Sequence, residues 1–248
     1  WPGTIVMGDV QSPFLTCQSL WQTPDARIFT RTSCAFGGSS SHSTTCNGSL
    51  GLNRTAAFMF FLLNCWRDYI IARMTNTLLI TGGASGIGAE TARRAATRGY
   101  RIAINYRSRD AQAKAVVADI AAKGGQAIAL PGDMANEADI VRLFAETEQA
   151  LGPITHLVNS AGIDPSRARV EDYDADTLHR LFTINVTGLM LCCREATRRM
   201  STKNGGKGGS IVNVSSMAGT LGGRKGASAY AATKGAVDAF TKGFAREV

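Results

Sequence analysis

Tyr230 and Lys234 are the pair of side chains best suited to move a proton in this chain of 248 residues. They stand four residues apart in a helical pattern, so both side chains lie on one face of the expected helix. A tyrosine with its ordinary pKa of about 10 is a poor base at neutral pH, and a neighbouring cation favours the phenolate form. The pair indicates acid–base chemistry on a substrate oxygen. Such a pair also occurs on helices by chance, so it needs support from elsewhere in the chain.

A glycine-rich segment, Leu78 to Gly88, supplies that support. An apolar run ends at Thr81, spaced glycines follow, and a helical pattern begins at once. A buried strand, a tight turn and a helix N-terminus present backbone N–H groups and the positive end of the helix dipole to a phosphate. Gly82 and Gly86 would let the backbone turn towards a ligand, and Gly88 would let the helix pack close to the strand. Glycines also serve ordinary turns, so this segment alone leaves both interpretations open.

Strand and helix patterns alternate from Thr77 onward. These elements must position the glycine-rich segment and the Tyr230–Lys234 pair. The predicted strands are 77–81, 101–106, 126–130, 154–159 and 210–215. The predicted helices are 87–98, 110–123, a helix capped by Asn136 that runs to 151, 175–200 and 227–248. Such alternation requires right-handed crossovers and a parallel sheet covered by helices on both faces. We therefore expect an α/β fold of the Rossmann type, a doubly wound parallel sheet, over residues 74–248.

The order of the motifs from Thr75 to Val248 resembles that of the classical short-chain dehydrogenases/reductases. The matching segments are Thr81-Gly82 with Gly86-Ile87-Gly88, then 159–162 (NSAG), Asn185, 214–216 (VSS) and 230–234 (YAATK). The chain looks most like bacterial members described only as generic oxidoreductases, near the 3-oxoacyl-carrier-protein reductase and glucose dehydrogenase branches. The resemblance implies an enzyme that transfers hydride between a nicotinamide cofactor and a carbonyl or secondary alcohol.

The resemblance also implies catalytic roles. Tyr230 would act as acid and base, and Lys234 would favour its phenolate and hold the nicotinamide ribose. Ser216 would hold the substrate oxygen, with Ser215 as the alternative. The family's serine commonly stands thirteen residues before the tyrosine, where this chain has a methionine, so Ser216 requires one extra residue in the loop 222–229. Asn185 would orient a water molecule in a proton relay, or it is a polar helix residue that meets a backbone group.

The cofactor is expected to be NADP, with NAD as the alternative. NAD-specific members usually carry an acid at the end of the second strand, where this chain has Tyr106 between Asn105 and Arg107. Arg107 could pair with a 2′-phosphate, although Ser85 stands where NADP-preferring relatives often have a basic residue. Asp133 and the residue after it resemble the pair that contacts adenine, or form an ordinary Asp turn. The resemblance implies cofactor contacts from Gly82, Ala84, Ser85, Gly86, Ile87, Gly88, Tyr106, Arg107, Asp133, Met134, Asn159, Ala161, Gly162, Tyr230 and Lys234.

Composition restricts the remaining classes of function. The net charge of +8 is scattered and lacks interleaved aromatic residues, which disfavours nucleic acid and is consistent with attraction of an anionic cofactor. The six cysteines form no CxxC motif, so neither a zinc site nor a disulfide framework is indicated. Reduced thiols in a cytoplasm are the default expectation. His42, His156 and His179 show no ligand spacing, and no metal is expected.

Residues 1–73 differ from the rest of the chain. They hold a polar run at 39–45 and an apolar patch at 56–66 that is too short to span a bilayer. We expect an irregular extension, either disordered or upstream sequence translated in error, with Met74 as the natural start. A genuine extension with a membrane-touching patch is the alternative.

The chain stops at Val248, while still on the helix that carries Tyr230. Family members continue with two further strands and a substrate lid, so we expect a domain that is incomplete at its C-terminus. The resemblance implies a homodimer or homotetramer in the full-length form, a small carbonyl or alcohol substrate, no nucleic acid and no membrane. The rival hypotheses are a truncated, non-catalytic nucleotide-binding protein and an adaptor that uses residues 1–73 and the basic charge.

Overall fold

The computed structural model describes residues 4–7, 76–164 and 167–248. Its strands are β1 (Thr4–Met7), β2 (Thr77–Thr81), β3 (Arg101–Tyr106), β4 (Ala127–Pro131), β5 (Ile154–Asn159) and β6 (Ser210–Asn213). Its α-helices are α1 (Gly86–Ala96), α2 (Asp110–Ala122), α3 (Glu137–Leu151), α4 (Ala175–Phe182), α5 (Leu189–Met200), α6 (Met217–Leu221) and α7 (Ser228–Phe244). A π-helical segment, Thr183–Gly188, joins α4 to α5, and short 3₁₀ turns lie at Val170–Asp172 and Thr202–Asn204.

The sheet has the strand order β1-β6-β5-β2-β3-β4. The strands β2 to β6 run parallel, with Leu79 level with Ala103 on one side and with Leu157 on the other. The chain leaves β2 towards β3 and β4, and later returns to pair β5 with the other edge of β2. Ligands of open α/β sheets bind at such a switch point, outside the carboxyl ends of the strands. The expected site therefore lies beyond Thr81 and Asn159.

Alternation along the strands divides the core into two layers. Leu78 and Ile80 face α1 and α2, where they pack with residues such as Val116. Leu79 faces the opposite layer, formed by α3, α5 and α7, where Phe144 is fully buried. Because both faces of the central strands are covered, β2 reads as one continuous apolar run and not as an alternating one.

The expected α/β fold is confirmed, and most predicted boundaries agree within a few residues. Asn136 caps α3, and its Oδ1 accepts a hydrogen bond from the N–H of Ala138 at 2.9 Å. Four details differ from the prediction. The single helix expected over 175–200 is divided by the π-helical segment, and the helix α6 was not predicted. The last strand ends at Asn213, and α7 ends at Phe244, both earlier than expected.

The N-terminal segment contributes one described strand to the sheet. Thr4–Met7 pairs antiparallel with Ser210–Asn213 of β6. An edge strand presents unpaired N–H and C=O groups, and a segment rich in β-branched residues such as TIVM is suited to pair with them. The remaining predictions for residues 1–73, including the four cysteines and the apolar patch, lie outside the described residues.

Candidate functional site

A cavity of about 450 Å³ opens at the carboxyl ends of the parallel strands. It extends from the segment after β3, past the turn between β2 and α1, to the first turn of α7. The predicted site residues on its wall are Gly82, Ala84, Ser85, Ile87, Tyr106, Arg107, Asp133, Met134, Ala161, Gly162, Ser216, Tyr230 and Lys234. The fold thus brings into one cleft residues that are separated by up to 152 positions in the sequence.

The glycine-rich turn occupies the middle of this cleft. Gly82 has a φ of +66°, and a Cβ added there would lie 2.8 Å from the Cα of Ala161. The turn therefore lies against the NSAG segment with no space for a side chain. A Cβ on Gly88 would lie 2.5 Å from the carbonyl oxygen of Gly82, so α1 packs closely on the turn itself. The first turn of α1 contains no acidic residue, which leaves the positive end of the helix dipole available to an anion.

Two buried polar residues hold this turn in place, and sequence analysis assigned a role to neither. Asn105 is 2% exposed; its Oδ1 accepts from the N–H of Gly82 at 3.3 Å, and its Nδ2 donates to the carbonyl of Gly132 at 3.0 Å. Thr81 Oγ1 accepts from the N–H groups of Ser160 and Ala161, each at 3.2 Å. Asn105 could have been noticed as a polar residue inside the apolar strand RIAINY. A buried amide in a sheet requires hydrogen-bond partners, so its presence there indicates a structural role.

Basic residues lie at the end of the cleft nearest β3. Arg107 and Arg109 are exposed and line the cavity. The Arg109 guanidinium donates to Ser85 Oγ at 2.5 Å. This hydrogen bond connects the segment after β3 to the glycine-rich turn. A basic group therefore reaches the position of Ser85 from another part of the chain. Sequence analysis did not predict Arg109, because its contact joins residues 24 positions apart.

Asp133 forms the Asp turn that was one of the two interpretations of it, and its contact with adenine stays a prediction. Its Oδ1 accepts from the N–H of Ala135 at 3.0 Å, which forms a turn of the Asx type, and its Oδ2 accepts from Arg180 at 3.3 Å. Met134, which follows it, is 5% exposed and lies below Gly188 of the π-helical segment. The pair forms an ordinary Asp turn and also lines the cavity.

Tyr230 and Lys234 lie together at the other end of the cleft, in the first two turns of α7. Lys234 Nζ lies 5.9 Å from the centre of the Tyr230 ring and donates to the carbonyl of Val214 at 2.8 Å. Burial lowers the pKa of Lys234, and the nearby carboxylate of Asp238 opposes this shift. A buried ammonium that faces an open cleft is a strong local source of positive potential.

Asn185 lies behind the cavity wall, in the π-helical segment. Its Oδ1 accepts from the N–H of Ile163 at 2.8 Å, and its Nδ2 donates to the carbonyl of Ile163 at 2.9 Å and to Thr233 Oγ1 at 3.2 Å. Both donors of the amide are therefore used within the protein. The side chain connects the segment after the NSAG motif to the helix that carries Tyr230.

The two candidate serines differ in their hydrogen bonds. Ser215 Oγ donates to the carbonyl of Lys234 at 3.3 Å, whereas Ser216 Oγ accepts from the N–H of Ala218 at 3.2 Å and caps α6. Both residues line the cavity. Because a hydroxyl has a single proton to donate, Ser216 retains its donor and Ser215 has used it.

Three residues expected to contact the cofactor are not on the cavity wall: Gly86, Gly88 and Asn159. Gly86 opens α1 with a φ of +55°, in space free of neighbours within 4 Å. Asn159 is 2% exposed and donates from Nδ2 to Asn213 Oδ1 at 2.9 Å, between β5 and β6. This placement gives Asn159 a role in joining the two strands.

The donor set fits an anionic dinucleotide. N–H groups in the first turn of a helix have no acceptors within the helix, and α1 directs this end at the cleft. Basic side chains flank one end, and the buried ammonium of Lys234 flanks the other. Over residues 76–164 and 167–248, no group of three or more His, Cys, Asp or Glu side chains could hold a metal ion. In the same ranges, no helix has the length and apolarity needed to cross a membrane.

Comparison with known proteins gives consistent results. The short chain dehydrogenase family model matches residues 76–248. An oxidoreductase of Escherichia coli, YgfF, which is described as uncharacterized, is 45% identical over 170 residues, covering 68% of this chain and 69% of the relative. The 3-oxoacyl-[acyl-carrier-protein] reductase of Rattus norvegicus is 41% identical over 175 residues, covering 71% of this chain and 70% of the relative.

Solved structures show the same relationship. A short-chain dehydrogenase from Burkholderia cenocepacia, crystallised in complex with NADP, is 34% identical and superposes with a TM-score of 0.65, covering 71% of this chain and 69% of that one. Together with the glycine-rich turn and the Tyr230–Lys234 pair, these matches show that the chain belongs to the short-chain dehydrogenase/reductase family of NAD(P)-dependent oxidoreductases.

Proposed function

We propose that this protein interconverts a carbonyl and a secondary alcohol with NADP(H) as its cofactor. The observation that carries the proposal is the cleft itself, which gathers Tyr230, Lys234 and Ser216 at one end and the glycine-rich turn with its basic neighbours at the other. The cofactor would lie with its pyrophosphate at the N-terminus of α1 and would supply or accept the hydride.

Tyr230 supplies the proton in this proposal. In the reductive direction its hydroxyl donates to the carbonyl oxygen of the substrate, and in the oxidative direction the phenolate takes the proton back. The Lys234 ammonium, 5.9 Å from the ring, stabilises the phenolate electrostatically. Its hydrogen bond to the carbonyl of Val214 fixes the ammonium at the junction of β6 and α7, so the charge needs no rearrangement during the reaction.

Ser216 holds the substrate oxygen, and its hydrogen bonding favours it over Ser215. Its hydroxyl accepts from Ala218 and keeps its own proton, which can stabilise charge on the substrate oxygen. Asn185 acts mainly by position: it connects Ile163 to Thr233, one turn beyond Tyr230. Any water that it orients is held by the lone pair that remains on Oδ1 or by the surrounding backbone.

Three observations support the preference for NADP over NAD. The end of β3 offers Asn105 and Tyr106 in place of the carboxylate that would bind the ribose hydroxyls. The nearby Asp110 carboxylate accepts from the Tyr106 hydroxyl at 2.6 Å and is paired with Lys114. Arg107 and Arg109 line this part of the cleft, and Arg109 reaches Ser85. A structural neighbour was crystallised with NADP, which is consistent with this preference.

The substrate we propose is a small or acyl-linked ketone. The relative from Rattus norvegicus is named as a 3-oxoacyl-[acyl-carrier-protein] reductase, and a keto group is the part of such a substrate that reacts. A second cavity of about 190 Å³ adjoins Tyr230 and is lined by the segment after the NSAG motif and by α4. It offers space for the part of the substrate next to the carbonyl.

The proposal is tested by the oxidation of NADPH by the full chain with a panel of ketones, 3-oxoacyl thioesters and sugars. Tyr230→Phe removes the proton donor and keeps the ring, so kcat should fall by about 10²–10⁴-fold. Ser216→Ala should lower kcat strongly and Ser215→Ala only weakly, which makes these two variants a matched pair. Activity that survives Tyr230→Phe would refute the mechanism. Binding of NADPH without turnover of any compound would instead favour a non-catalytic nucleotide-binding protein.

A further inference from the structure

The helix that carries Tyr230 begins without a side-chain cap of its own. The residue before α7 is Ala227, whose side chain accepts no hydrogen bond. The segment that leads into the helix contains Gly222, Gly223 and Gly226, each with a φ of about +80°. Left-handed glycines restrict the chain weakly, so the local sequence does little to fix the first turn of α7.

An anchor for this turn comes from a distant part of the chain. Tyr173 lies just after the 3₁₀ turn Val170–Asp172, and its hydroxyl accepts a hydrogen bond from the N–H of Ala229 at 3.2 Å. The same hydroxyl shares a second hydrogen bond with Ser228 Oγ. The N–H of Ala168, on the same segment, donates to the carbonyl of Gly226 at 3.2 Å. The segment 167–173 is therefore attached to the beginning of α7 at three points.

We propose that Tyr173 is a positioning residue for Tyr230, with its hydroxyl serving as the missing cap of the catalytic helix. The N–H groups at the start of a helix need acceptors, and the hydroxyl provides one to the residue directly before Tyr230. On the other side, Thr233 Oγ1 donates to the carbonyl of Tyr230 at 2.7 Å and accepts from Asn185. Tyr230 is thus held between two tertiary anchors, and this inference rests on the proposed role of Tyr230.

Tyr173 also connects this anchor to the substrate side of the site. It lines the cavity of about 190 Å³ that adjoins Tyr230, together with Asp164, Thr177 and Leu178. A substrate that fills this cavity would contact the ring whose hydroxyl holds the first turn of α7. Since hydride and proton transfer require close alignment, a small displacement of Tyr230 should reduce kcat more than it reduces cofactor binding.

The first test measures the anchor without any turnover. Tyr173→Phe keeps the ring and removes the acceptor, so the amides of a peptide that covers 224–234 should exchange hydrogen faster than in the unmodified protein. Ser228→Ala removes only the shared hydrogen bond and should give a smaller increase in the same peptide. Tyr100→Phe is the matched control, because Tyr100 packs against His156 near the amino-terminal ends of β3 and β5, away from the cleft. Exchange in Tyr173→Phe equal to that in Tyr100→Phe overturns the proposal.

The second test measures catalysis with the best ketone from the panel. Tyr173→Phe should lower kcat by about 3- to 10-fold, with the KM for NADPH within about 2-fold of the unmodified value. The effects of Tyr173→Phe and Ser228→Ala on kcat should be less than additive. An unchanged kcat contradicts the inference. Tyr230→Phe is measured in parallel to separate the two hypotheses. If Tyr230→Phe remains active, the proposed function is wrong. If Tyr230→Phe is inactive while Tyr173→Phe keeps full activity, only the proposed role of Tyr173 is wrong.

Discussion

Ser215 and Ser216 illustrate how a single proton decides between neighbouring residues. Both serines line the cleft, and neither stands at the family's usual distance before Tyr230. The hydrogen-bond partner of each hydroxyl separates them. Ser215 Oγ donates its proton to the carbonyl of Lys234, whereas Ser216 Oγ accepts from the N–H of Ala218 and keeps its own proton. At this scale, the chemistry depends on hydrogen-bond direction as much as on residue type.

The preference for a 2′-phosphate is a prediction at the same scale. Arg107→Ala and Arg109→Ala should each raise the Kd of NADPH by about 10-fold, because an exposed guanidinium–phosphate contact contributes about 1–2 kcal/mol. The Kd of NADH should change by less than about 3-fold, since it lacks the phosphate. The quenching or enhancement of dinucleotide fluorescence on binding measures both constants. Arg98→Ala, an exposed residue after α1, is the control. Equal weakening of both dinucleotides would argue against recognition of the 2′-phosphate.

Elements with a strong local pattern were predictable from the sequence, and elements fixed by distant contacts were not. The strands β3 and β5 are apolar runs bounded by glycine or polar residues, and their predicted limits match the structure. The short helix α6 contains a glycine and depends on Ser216 as its cap, so it carries little periodicity. The π-helical segment depends on the contact of Gly188 with Met134, which no local spacing encodes.

The same distinction holds for the site. Tyr230, Lys234 and the glycine-rich turn were recognisable because their spacing is local. Arg109 and Tyr173 were missed because each acts on a residue from another element, 24 and 55 or more positions away. The buried contact of Asn159 with Asn213, between β5 and β6, was also not foreseen, and its assignment to the cofactor stays a prediction. Long-range contacts of this kind require the fold before they can be seen.

A buried carboxylate joins two helices of one layer. Glu195 on α5 has a side chain that is 4% exposed, and it pairs with Arg194, Arg198 and Arg199. Arg199 also contacts Glu148 on α3 at 3.0 Å. Burial alone would raise the pKa of Glu195, but the ion pairs with Arg199 and Arg194 outweigh burial and hold it below its ordinary value.

Glu195→Gln should therefore destabilise the domain by about 1–3 kcal/mol at pH 7, because the buried acceptor loses its charge while its arginine partners remain. Because the pKa of Glu195 is lower in the folded protein, its ionised form stabilises the fold at pH values above the pKa of an unfolded glutamate, about 4.3. This stabilisation is lost as the pH falls through the pKa of the folded state. The difference between the two proteins should shrink below about pH 4. Urea unfolding at pH 7 and at about pH 3 measures it. Glu90→Gln, which removes an exposed pair with Arg94, should change the free energy of unfolding far less than Glu195→Gln does. A constant difference at both pH values would contradict the assignment.

The cleft joins two halves of the whole molecule, and Gly82 lies where they meet. A dinucleotide that spans the cleft binds the folded state only, so NADPH at about 100 times its Kd should stabilise the protein by about 2.7 kcal/mol and raise the Tm by about 5–10 °C. Gly82→Ala places a Cβ 2.8 Å from Ala161 at a φ of +66°, so it should lower the Tm and reduce the NADPH shift to less than about 2 °C.

Gly205→Ala is the matched control, since Gly205 has a φ of +83° with nothing within 4 Å. It should also lower the Tm, because its backbone is equally left-handed, yet it should keep the full shift with NADPH. If both variants keep the shift, the contact between the glycine-rich turn and the NSAG segment does not shape the cofactor site.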